Sequence, residues 1–133
     1  MTPAEVLLAA AETIDRDGLY QGGIRSYAVP HLRPVPGKTR AQVCKEAAVV
    51  APVSVFGAIE RVIWGAAQDY LTPHMDTLDY RLYVETTLYF AAWMRWNCGV
   101  MNVWRWNDAF STSEAEVILA LRKAAQAWAP PPF

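Results

Sequence analysis

The chain has 133 residues, 53% hydrophobic and 19% charged, with a formal net charge of −1. This balance excludes a disordered segment and predicts a single folded domain over residues 1–133. Near-neutrality removes any global electrostatic demand for nucleic acid or membrane lipid. Two cysteines, Cys44 and Cys98, make no disulfide framework and fit a reducing compartment.

Residues 1–14 contain an apolar run, but they begin without Lys or Arg and carry Glu5 and Glu12. They do not read as a secretory signal, so the cytoplasm is the expected location. Thr2, Pro3 and Glu5 instead open a helix: a hydroxyl at the N-cap, Pro at the first position, and a carboxylate three residues after the cap. Val6, Leu7, Ala10 and Ile14 form its apolar stripe, and Gly18 ends it. Residues 19–38 hold Gly22, Gly23, Pro30, Pro34, Pro36 and Gly37, which forbid a helix interior. An extended arm or short hairpin is predicted there. Between residues 18 and 45 lie Arg25, Arg33, Lys38, Arg40 and Lys45 without an acid. Such a run is either a solvated face or a contact for an acidic partner.

Thr39 and Gln42 repeat the capping pattern and start a second helix that Pro52 stops. A third is expected over residues 53–69, with Gly57 inside it for close approach of another backbone. The bulkiest stretch is residues 78–108, which holds four of the six tryptophans. A helix over residues 77–97, capped by Thr77 and ended by Gly99, is apolar on nearly every side. Arg81, Glu85 and Arg95 break it up too much for a membrane span. The periodicity therefore predicts a buried central helix. Periodicity fails over residues 100–113, where Asn107 and Asp108 favour a turn. Ser113 and Glu116 form a third capping pattern before a Leu/Ala-rich helix, and residues 129–133 are a Pro-rich tail. The expected fold is mostly α, with about five helices packed around the central one and the Gly/Pro-rich arm between the first and second.

Trp106-Asn107-Asp108, followed by Ser113-x-x-Glu116-Val117 and that last helix, resembles the C-terminal signature of an uncharacterised family of short actinobacterial and phage proteins. The Gly18-Leu19-Tyr20-Gln21-Gly22 passage and the segment around Ser54, Gly57 and Ala58 are similar to two other stretches of that family. Tyr20 and Ser54 stand where relatives often carry Cys, which counts against a shared thiol or metal chemistry. The resemblance implies a bacterial or phage origin and attaches no activity.

No metal or cofactor is expected. His31 and His74 are far apart, and no CxxC, HxxxH, dinucleotide fingerprint or P-loop occurs. An enzyme would have to use Cys98 with one of the histidines, Asn107 or Asp108 orienting it, or Glu85 beside Arg81. Cys98 sits at the helix end that does not activate thiols, and an Arg–Glu pair four residues apart is more often a partnered charge at a core edge. Tyr89, Trp93, Trp96, Trp104 and Trp106 fit core packing, stacking on single-stranded bases, or anchoring of a protein partner. The favoured reading is a non-catalytic interaction domain with an unidentified protein partner, such as a host factor, and a possible homodimer. Its partner-binding residues would be Trp104, Arg105, Trp106, Arg25, Arg33 and Arg40. Trp106, Asn107, Asp108, Ser113, Glu116 and Gly57 would be structural. The rivals are the small enzyme and a nucleic-acid binder using the basic 25–45 arm.

Overall fold

The computed structural model describes residues 1–23, 34–67 and 75–130. Among these it has six helices: α1 (Pro3–Asp17), α2 (Arg40–Val50), α3 (Val55–Trp64), α4 (Leu78–Cys98), α5 (Val103–Asp108) and α6 (Glu114–Ala127). The expected all-α fold is met. Backbone pairing outside helices is confined, among the described residues, to one parallel bridge between Leu19 and Val53. No helix there is long and apolar enough to cross a membrane.

Capping chemistry sets most of the boundaries. Thr2, Thr39, Thr77 and Ser113 each accept a backbone N–H from three residues on, as the sequence predicts, and Gln42 completes a reciprocal capping box. Gly99 closes α4 in the left-handed region at φ 68°. The third helix starts two residues later than expected, because Val53 is drawn into the bridge with Leu19 and Ser54 becomes the cap. Gly57 therefore lies in the first turn of α3, its N–H bonded to Ser54 Oγ at 3.1 Å. The short helix α5 was not expected; at six residues it is too brief for any periodicity to register. The hairpin expectation falls mainly on residues 24–33, outside the described residues, as do Arg25, His31, Arg33 and His74.

The centre of the molecule is not where the sequence places it. α1 is the axis, packed most extensively against α6 and then α3. Val6, Leu7, Ala10, Ala11 and Ile14 are fully buried against Val55, Ala58 and Ile59 of α3 and Val117, Leu121 and Ala124 of α6. Alanines at this junction keep side-chain bulk low and let the backbones come close. Buried apolar groups of this kind are worth about 25 cal/mol per Å2 removed from water.

The expected central helix, α4, buries only Thr86, Phe90 and Met94. Its apolar residues are spread around the cylinder, but among the described residues its buried side chains are on one side. Leu78, Leu88 and Trp96 are 79%, 66% and 84% exposed. The expected central helix thus packs at the periphery, and its outer apolar residues need another explanation than core packing.

Candidate functional site

Three stretches distant in sequence, residues 18–22, 53–55 and 107–114, converge on one place. Residues 18–22 leave α1 through Gly18, at φ +97°, and run alongside residue 53. Tyr20 N–H donates to the Val53 carbonyl at 2.9 Å, and Val53 N–H to the Gly18 carbonyl at 3.1 Å. The Asn107 side chain fills the gap beside them, fully buried. Its Oδ1 accepts the Val55 N–H at 2.9 Å, and its Nδ2 donates to the Tyr20 carbonyl at 3.1 Å and to Asp108 Oδ1 at 2.9 Å. Asp108 Oδ1 also accepts the Gly22 N–H at 2.9 Å.

Two flanking side chains complete this latch. Gln21 Nε2 donates to the carbonyls of Ala109 and Thr112 at 2.9 and 3.0 Å. Glu114 Oε1 accepts the Leu19 N–H at 2.8 Å. These bonds tie residues 18–22 to residues 53–55 and to the segment between the last two helices. Asn107 and Asp108 make these long-range bonds, whereas Ser113 caps the last helix. Glu116 does not join the latch: its N–H bonds the Ser113 cap at 3.1 Å while its side chain faces a groove described below. The long-range role falls to Glu114, which the capping pattern passes over.

A second polar cluster went unnoticed in the sequence. Asp17 and Arg61 are 44 positions apart and form a buried pair at 2.8 Å, their side chains 6% and 5% exposed. Arg61 Nη2 donates to the Ala51 carbonyl at 2.8 Å, and the exposed Arg16 holds Asp17 through Nε and Nη2. The hydrogen bond from Arg16, with the charges of Arg16 and Arg61, holds the Asp17 carboxyl below its ordinary range against the opposing effect of burial. Glu60 is buried on α3, and burial together with that carboxylate pushes the Tyr83 phenol above its usual range.

The remaining site candidates are scattered. Trp104 is 39% exposed, its ring against Phe56 with centroids 4.5 Å apart. Arg105 is exposed, and Trp106 is half-buried with its ring 6.4 Å from Phe90. Arg40 is exposed at the start of α2, near in sequence to Lys38, whose ammonium pairs with Glu46 at 2.6 Å. Arg81 and Glu85 are both exposed on the outer face of α4. Among the described residues no three His, Cys, Asp or Glu side chains gather closely enough to hold a metal ion.

An open groove of about 390 Å3 lies between the end of α4, Val100, α5 and α6. Trp93, Met94, Val100, Trp106, Leu119 and Ala120 supply an apolar lining; Cys98, Glu116 and Lys123 also border it. A family model described as a family of unknown function (DUF6197) matches residues 1–127. No curated protein and no solved structure matches the chain.

Proposed function

Because the chain belongs to that family of unknown function along almost its whole length, its role must be argued from its own surface, and we propose that it is a non-catalytic protein-interaction domain. The observation that carries this reading is the groove walled by Trp93, Trp106 and Leu119. Tryptophans and an exposed leucine around an open apolar slot suit anchoring of a partner's side chain, with Glu116 and Lys123 as a polar rim. Trp96 and Met101, in the segments on either side of Cys98, are 84% and 72% exposed. The resemblance to actinobacterial and phage proteins makes a bacterial host factor the natural class of partner.

Cys98 borders the same groove, so the thiol reading is tested alongside. With the full chain as bait in an actinobacterial lysate, Cys98→Ser is expected to retain the captured partner and Leu119→Lys to lose it. Capture by Leu119→Lys equal to that of the wild type removes the groove as the binding surface. Loss in Cys98→Ser alone favours chemistry at the thiol.

A further inference from the structure

The outer side of α4 has a pattern the groove does not explain. Directly opposite the buried Thr86, Phe90 and Met94 run Leu78, Arg81, Glu85 and Leu88, all exposed. Their spacings of three, four and three are those of a seam between two helices. The order is also the same chemistry read from either end: apolar, charge, opposite charge, apolar, symmetric about position 83. In an antiparallel pair crossing at that position, Leu78 meets Leu88 of a second copy and Arg81 meets its Glu85. A two-fold axis makes each contact twice. Parallel packing would set Arg81 against Arg81, so the charges select the antiparallel arrangement.

Shape agrees with charge. An open cleft of about 590 Å3 runs along this face, lined by Met75, Tyr80, Val84 and Leu88 with Arg81 and Glu85. It offers a concavity to leucines arriving from a facing helix. Leu78 and Leu88 are among the most exposed large apolar residues of those described, at 79% and 66%. The stretch from Leu78 to Leu88 spans roughly 15 Å of helix at 1.5 Å per residue, enough for a three-turn seam.

We propose that the outer face of α4 is a contact between two copies of this chain, packed antiparallel about the position of Tyr83 with two reciprocal Arg81–Glu85 pairs between Leu78–Leu88 contacts. This goes beyond the groove reading: it concerns another surface, and either can fail alone. Arg81 and Glu85, unconvincing as a catalytic pair, become the elements that fix orientation.

The test is sedimentation equilibrium of the full chain with charge-reversed variants. The wild type is expected to dimerise reversibly. Arg81→Glu or Glu85→Arg alone sets like charges across the seam twice and should weaken association on the order of tenfold or more. An equimolar mixture of the two single variants should associate again as a heterodimer, and the double variant R81E/E85R should self-associate like the wild type. Thermal melts of all variants at low concentration should coincide, since the changed side chains are exposed. A wild type that stays monomeric at about 0.3 mM overturns the proposal. A dimer indifferent to the single reversals, or one the mixture fails to restore, overturns it equally.

Discussion

Around Asn107 polar side chains engage backbone groups of distant segments; along the outer side of α4 two leucines, Leu78 and Leu88, stand 79% and 66% exposed. The first region has the residues one would search for catalysis, an amide, two carboxylates and a glutamine, and each is committed to holding residues 18–22 against Val53, Val55 and the start of α6. The second has an ordinary Arg–Glu pair between leucines. Polarity alone therefore misassigns both regions. What separates them is whether a side chain has a partner inside the molecule. A polar residue with buried partners serves the fold, whereas an apolar residue without any is free to recognise something else.

If this distinction is right, the two regions respond oppositely to substitution. Among the polar contacts, the largest loss should come from the buried Asp17–Arg61 pair. Asp17→Asn leaves the Arg61 guanidinium buried without its carboxylate, at a cost of about 3 kcal/mol in urea unfolding. The loss should also depend on pH. The folded carboxyl titrates below its unfolded value, so its stabilisation is fully present above the usual carboxylate range, near 3.9, and fades as pH falls through the depressed folded value. Wild-type and Asp17→Asn midpoints should therefore converge in acid. A constant gap down to pH 2 would mean that the carboxylate's charge is not what stabilises the site.

Asn107→Ala comes next. It strands the Val55 N–H and the Tyr20 carbonyl in a dry site, with an expected loss of about 2 kcal/mol. Asn107→Asp keeps the acceptor for Val55 but removes the donor to Tyr20 and brings a second carboxylate beside Asp108. It should be no milder than Ala. Equal stability of all three proteins in a denaturant titration would show that the latch is ornamental to the fold.

The helices were legible because their ends are written in local chemistry. A hydroxyl accepting the N–H three residues on needs no knowledge of the rest of the chain, and Thr2, Thr39, Thr77 and Ser113 all act this way. The centre was not legible because bulk was mistaken for burial. Residues 78–98 look like a core helix, yet the most central helix is α1, whose Ala10 and Ala11 are small where neighbours come close. The partners of Asn107 were not legible: it reaches Val55 and Tyr20 over 52 and 87 positions. Asp17 and Arg61 had no signal at all, being single charges on separate helices.

The smallest effect is the most telling about α4. Leu88 is large, apolar and set in the bulkiest helix of the chain, so the composition of that helix predicts that a charge there would be ruinous. Its 66% exposure predicts the reverse. Lysine is as good a helix former as leucine, and at an exposed site neither desolvation nor a cavity arises. Leu88→Lys should therefore shift unfolding by no more than about 0.5 kcal/mol, measured at a concentration low enough to keep the protein monomeric. Phe90, two residues away and fully buried, supplies the contrast: truncating a phenylalanine to alanine in a packed core costs about 3–5 kcal/mol. A Leu88→Lys cost approaching that of Phe90→Ala would place the outer face of α4 inside the protein's own folding unit and leave it no surface to offer a second molecule.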